Sequence, residues 1–176
     1  SVFEDQTLSA SSGNGIFAND FCTAGTSNLT AILVATTTSG TLTLNTNNGS
    51  FTYAPNTNFF GTDTFTYRVN DGTSNSGIAA VTITVVTVND PPTLTAGGNQ
   101  TVLEDSDALT VPNWVTAISV GPANESAQTL AFFVSNSNSN MFSAQPAISS
   151  AGTLTYTPAT NANGSATITV YAQDNG

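Results

Sequence analysis

An internal repeat constrains this chain more than any other feature. Gly49-Ser-Phe-Thr-Tyr-Ala-Pro-Asn-Thr-Asn-Phe-Phe-Gly61 aligns with Gly152-Thr-Leu-Thr-Tyr-Thr-Pro-Ala-Thr-Asn-Ala-Asn-Gly164, and the register holds without a gap to Asp71 and Asp174. Tyr53 matches Tyr156, Pro55 matches Pro158 and Asn58 matches Asn161. Upstream, Val2-Phe-Glu-Asp5 matches Val102-Leu-Glu-Asp105 at a slightly shorter offset. Repetition at this spacing means two units with one layout, each of roughly a hundred residues, the size of a small sandwich domain.

Within each unit the apolar residues recur with period two, as strands require. Thr62–Val69 places Phe65, Tyr67 and Val69 on one face and Thr64, Thr66 and Arg68 on the other. Gly40–Leu44, Ser50–Tyr53, Ile78–Val88, Thr153–Tyr156 and Ala166–Tyr171 read the same way. Asn48-Gly49, Asp71-Gly72 and Asn163-Gly164 punctuate these runs as turns. No stretch has helical periodicity of useful length. The strand run into Asn89-Asp90 is stopped by Pro91-Pro92, whose fixed φ angles make a stiff spacer. The expected architecture is all-β: two tandem antiparallel sandwiches, residues 1–90 and 91–176, the second without its last strand.

Composition narrows the partners. Charged residues are 7% of the chain; one basic residue, Arg68, stands against eleven acids, for a net charge of −10. Nucleic acid is excluded as a partner, because phosphate binding needs clustered Lys and Arg. Divalent cations are the natural counter-ions. No apolar run reaches the roughly 20 residues of a membrane-spanning helix. A neutral surface of Asn, Thr, Ser and Gly points to an extracellular or cell-surface setting. Cys22 is the single cysteine, so no intrachain disulfide forms; it reads as a small buried hydrophobe or as an intermolecular partner.

Gly15-Ile-Phe-Ala-Asn-Asp20, Gly49-Ser-Phe-Thr-Tyr-Ala-Pro55, Phe60-Gly-Thr-Asp-Thr-Phe-Thr-Tyr67, Asn70-Asp-Gly72 and Val81-Thr-Ile-Thr-Val85, leading to Val88-Asn-Asp-Pro-Pro92, occur in this order. In these motifs the chain resembles the bacterial Ig-like and cadherin-like tandem repeats of large surface adhesins. The resemblance covers the first module and, through Thr153–Asn163, Ala166–Val170 and Asp174, part of the second. It implies Ig/cadherin-like sandwiches, stalk or adhesive roles, and calcium at module junctions. Carried onto this chain, the implied ligands are Asn89 and Asp90 from the linker, Glu104 from the following module, Asp63 and the Asp71 turn. Glu4 and Asp174 would then serve neighbouring junctions. The chain departs from the family where Phe21-Cys22 follows Asp20, and where the second module offers Asn124-Glu125 without an Asp-x-Asp. A second reading of Asp71, Asp90 and Asp174 stands beside the first: turn residues that bond their own backbone.

Catalysis is not expected. Without histidine no Ser-His-Asp or Cys-His arrangement exists, and without lysine neither a Schiff base nor a phosphate-loop lysine. Glu4-Asp5 and Glu104-Asp105 are adjacent, so their side chains would point to opposite faces of a strand. Trp114, Tyr53 and Tyr156 read as core residues. Asn28, Asn48, Asn99, Asn124 and Asn163 lie in glycosylation sequons, which matter only in a eukaryotic exported protein. The expected role is a structural pair of an extracellular adhesin, stalk or fibre, whose partners are neighbouring modules or identical chains. The alternatives are a module binding glycan, ice or a partner surface, and a filament subunit joined by strand donation.

Overall fold

The computed structural model describes residues 1–20 and 29–176. The chain divides into two compact units, Ser1–Val88 and Asn89–Gly176. The division falls before Asn89, two residues ahead of the expected boundary. The cause is local: Asn89 and the Asp90 amide hydrogen-bond to residues of the second unit.

The strands of the first unit are β1 (Val2–Phe3), β2 (Leu8–Ala10), β3 (Thr30–Ala35), β4 (Gly40–Leu44), β5 (Phe51–Pro55), β6 (Gly61–Asn70) and β7 (Ala79–Val86). They form one sheet in the order β1-β7-β6-β3 and another in the order β2-β5-β4. All pairings are antiparallel except that of β1, which runs parallel to β7. The apolar members of each alternating strand meet between the sheets. Phe51 and Tyr53 from β5, Phe65 and Tyr67 from β6, and Ile83 and Val85 from β7 are all buried. Phe51 meets Phe65 edge to face at 5.3 Å, a geometry that suits the ring quadrupoles.

The second unit contains β8 (Thr93–Ala96), β9 (Leu109–Val111), β10 (Val115–Ser119), β11 (Ala131–Asn136), β12 (Phe142–Ile148), β13 (Leu154–Pro158) and β14 (Ile168–Gln173). Its sheet β12-β13-β9 reproduces β4-β5-β2, and its pair β11-β14 reproduces β3-β6. An additional pair, β8-β10, sits at its start. The fully buried apolar residues here are Val115, Leu154 and Tyr156, a much smaller set than in the first unit.

Matched residues make matched bonds. Asp5 accepts the Asn58 amide at 3.1 Å, and Asp105 accepts the Asn161 amide at 2.8 Å. Ile16 and Val115 each donate their amide, at 2.9 Å, to the carbonyl of Gly49 or Gly152. Both glycines have positive φ, 73° and 79°, and a Cβ on either would collide with neighbouring backbone or an aromatic ring. That conformation and that clearance explain why glycine recurs at this point of the repeat.

Candidate functional site

The densest group of acidic and amide side chains lies at one pole of the second unit. Three segments build it: Asn89-Asp90 before β8, the 3-10 turn Ala123–Glu125 with the residues after it, and Asp174 just beyond β14. Asn89 is the hub. Its amide nitrogen donates to Asp174 Oδ1 at 2.9 Å, and its oxygen accepts from Gln128 Nε2 at 2.9 Å. The Asp90 amide donates to Glu125 Oε1 at 2.9 Å, and the Gln128 amide closes on the Glu125 carbonyl at 2.8 Å. Glu125 is 6% exposed.

One oxygen of each acid in this group is buried without a hydrogen-bond donor: Asp90 Oδ2, Glu125 Oε2 and Asp174 Oδ2, joined by Gln128 Oε1. Buried carboxylate oxygens are costly to leave unmatched, and a positive group normally answers them. Hard divalent cations bind through carboxylate and carbonyl oxygens of this kind. Among the described residues no three acid or cysteine side chains stand in ligating geometry. The oxygens therefore form a partial set, fitting a cation in chemistry without being a closed cage.

In the first unit the carboxylates are differently engaged. Asp63, 4% exposed, faces inward from β6. It accepts the amides of Thr38, Ser39 and Thr64 at 3.0, 2.8 and 2.9 Å and the Tyr53 hydroxyl at 2.9 Å. Burial pushes its pKa up, but the four hydrogen bonds outweigh burial and hold it below the usual Asp range. The Tyr53 hydroxyl is raised by burial and by its bond to that carboxylate. Both Asp63 oxygens are hydrogen-bonded, and they tie β6 to the turn before β4 and to β5. Glu4 is 3% exposed and accepts the Val88 amide at 2.6 Å through Oε1, while Oε2 lacks a donor.

The model of the bacterial Ig domain family matches residues 1–84, nearly the whole of this first sandwich. Over that span the first unit is similar to bacterial Ig domains. Domains of this kind are structural modules of extracellular and surface proteins, generally without catalysis. No curated protein matches the chain. Among solved structures, extracellular cadherin domains 1–4 of protocadherin gamma B7 are similar over 84% of this chain and 40% of that one. The identity is 16% and the TM-score 0.39, too low to carry any inference. The chain thus spans less than half of that structure.

In the first unit Asp71 closes its own turn, accepting the amides of Thr73 and Ser74 at 2.9 and 2.8 Å. Those bonds lower its pKa and are the bonds of a turn-forming aspartate. It shares a shallow cleft with Asp20, which accepts the Tyr67 hydroxyl at 3.2 Å. Burial first, then the Asp20 charge, pushes that hydroxyl up to about 12. Glu104 is exposed, in the turn at 104–105 between β8 and β9. It therefore does not join Asn89 and Asp90 in the hydrogen-bonded group, which Glu125, Gln128 and Asp174 complete instead. Nothing in the sequence around Asn124-Glu125 marks Glu125 for this group.

Trp114 is half-buried rather than a core anchor; its indole nitrogen donates to the Gly98 carbonyl at 3.0 Å. Asn48, Asn99 and Asn163 are exposed and Asn124 is half-buried. Cys22 and Asn28 lie outside the described residues. Among the described residues no helix is long and apolar enough to cross a membrane.

Proposed function

We propose that the chain is a structural segment of a surface adhesin, stalk or fibre, holding other parts of that protein at a distance. The observation that supports this reading is the repeated framework itself. The residues the two units share, Asp5 and Asp105, Asn58 and Asn161, Gly49 and Gly152, bond or clear the backbone. What recurs is scaffold, as in arrays assembled from one supersecondary plan.

Calcium is the proposed cofactor, bound at the pole of the second unit. Asp90 Oδ2, Glu125 Oε2, Asp174 Oδ2 and Gln128 Oε1 do not stand in ligating geometry together, so a cation would have to draw them in and complete its shell with carbonyls and water. A bound divalent cation would offset their negative charge and tie Asn89-Asp90 to the end of β14, stiffening the start of the unit. The test is thermal unfolding followed by fluorescence of Trp114, the single tryptophan and a reporter for the second unit. Saturating calcium should stabilise that transition, by about 2.7 kcal/mol at a hundred times the dissociation constant. Chelator should reverse the gain and Glu125→Gln should abolish it. An unchanged transition, with no calcium heat in titration calorimetry, contradicts the proposal. In scattering, chelation should increase flexibility between the modules; identical profiles would count against a stiffening role.

Glycan binding is a second reading with one observation in its favour. Phe133 and Tyr171 stack at 4.9 Å on the solvent face of β11 and β14, 42% and 57% exposed. A glycan screen in which Tyr171→Ala removes binding would support it; an empty screen would leave the pair as cross-strand packing.

A further inference from the structure

Asn89 and Gln128 are the two neutral amides of the acidic pole, and their hydrogen bonds run in one direction. Gln128 Nε2 donates to Asn89 Oδ1 at 2.9 Å, and Asn89 Nδ2 donates to Asp174 Oδ1 at 2.9 Å. Gln128 Oε1 is buried and accepts nothing. Beside them Glu125, 6% exposed, and Asp174 each keep one buried oxygen without a donor.

A carboxamide carries an acceptor oxygen and a donor NH2 of similar size on one planar carbon. A half-turn of that plane exchanges donor for acceptor with little movement of heavy atoms. These two amides cannot turn independently. If Asn89 alone turned, its NH2 would face the NH2 of Gln128. If both turn, Asn89 Nδ2 donates to Gln128 Oε1, and the acceptor that stands alone in the structure gains a donor. An amide oxygen has two lone pairs, so Gln128 Oε1 can take that donor and still face a cation. Asn89 Oδ1 then faces Asp174 Oδ1 across the 2.9 Å that Asn89 Nδ2 now spans. Two facing oxygens repel unless positive charge lies beside both. A spacing of about 3 Å is also what metal–oxygen distances of about 2.4 Å give neighbouring ligands of calcium.

We propose, resting on the calcium reading above, that Asn89 and Gln128 form a two-state amide relay that senses cation occupancy at this pole. Without a cation, the NH2 of Asn89 answers the charge of Asp174. With one, both amides turn, and Asn89 offers its oxygen beside that carboxylate. Gln128 carries the change to the turn that bears Glu125, because its backbone amide donates to the Glu125 carbonyl at 2.8 Å. The relay thus links the residues after β14 to the 3-10 turn. The two orientations differ in whether Asp174 meets a donor or an oxygen, and that difference is what a cation uses to shift their populations.

The experiment uses the intact, isotope-labelled chain with calcium as the probe. Couplings across hydrogen bonds in NMR identify the acceptor of the Asn89 Nδ2 protons. It should be the Asp174 carboxylate without calcium and the Gln128 side-chain carbonyl at saturation. Titration calorimetry runs in parallel on two variants. Gln128→Glu accepts from Asn89 Nδ2 but cannot donate to Asn89 Oδ1, so it holds the turned state and should tighten calcium by about tenfold or more. Ser126→Glu adds the same charge to the same turn and keeps both amides, and should tighten calcium far less. Calcium heat with the Asn89 coupling still to Asp174 overturns the relay and leaves the calcium reading in place. Equal tightening by the two variants does the same. Absence of calcium heat overturns both.

Discussion

Tyr53 and Tyr156 hold the same place in the two units, in the middle strand of matching three-stranded sheets, yet their hydroxyls are treated differently. Tyr53 donates to Asp63. The repeat puts Ala166 where Asp63 stands, and the Tyr156 hydroxyl is buried with no partner. Burial alone raises its pKa. The same contrast holds for Glu4 and Glu104, one buried against β7, the other exposed. A repeated sequence thus reproduces the framework faithfully, while the polar interior depends on residues and strands that only one unit has. The first unit closes its core with an Asp-centred network and a seven-strand sandwich; the second retains the layout with a thinner core.

Several substitutions would break or sharpen this contrast. Asp63→Ala should have the largest effect. It leaves three backbone amides and a tyrosine hydroxyl without their acceptor, and should cost the first unit about 3–5 kcal/mol. The loss should appear in calorimetry but leave the Trp114-monitored transition in place. The network also sets a pH window. Because the folded pKa of Asp63 is depressed, its stabilisation is fully present above the ordinary Asp value and disappears as pH falls through the folded pKa. Stability of the first unit should therefore decline below about pH 4, and Asp63→Asn should flatten that part of the profile.

Tyr53→Phe and Tyr156→Phe come next in size. The first removes a bond to a charged acceptor and should cost about 1.5–3 kcal/mol; the second removes an unpaired group and should be neutral or slightly stabilising. Equal costs in denaturant melts would mean that the hydroxyls are used alike. Asp5→Ala and Asp105→Ala should each cost about 1 kcal/mol in their own unit, since each cap satisfies one loop amide. Tyr171→Ala should have the smallest effect, about 0.5–1 kcal/mol in the second unit, because the stacked pair is exposed.

Much of the fold was legible from alternation and turn residues. Phe65, Tyr67, Gly49 and Gly152 stand where the repeat implies, because side-chain period and positive-φ glycines are local properties. The parallel pairing of β1 was not legible, since it depends on a partner more than eighty residues away in sequence. The carboxylates were harder still. Asp63 and Asp90 look alike in sequence, and only the fold decides that one meets three amides while the other keeps a free buried oxygen. Asp174 reads from sequence as belonging to a neighbouring junction, yet Asn89 reaches it directly. Glu125 carries no motif around it and enters the group through a 3-10 turn that periodicity does not announce.

Amide hydrogen exchange of the free chain, comparing residues 61–64 with 164–167, bears most directly on the difference between the two units. The amides of the first segment that bond to β7 should be protected to near the full stability of their unit. The matching amides of the second should exchange orders of magnitude faster. Comparable protection in both segments would mean that residues 164–167 are hydrogen-bonded as 61–64 are, and the contrast between the units would not stand.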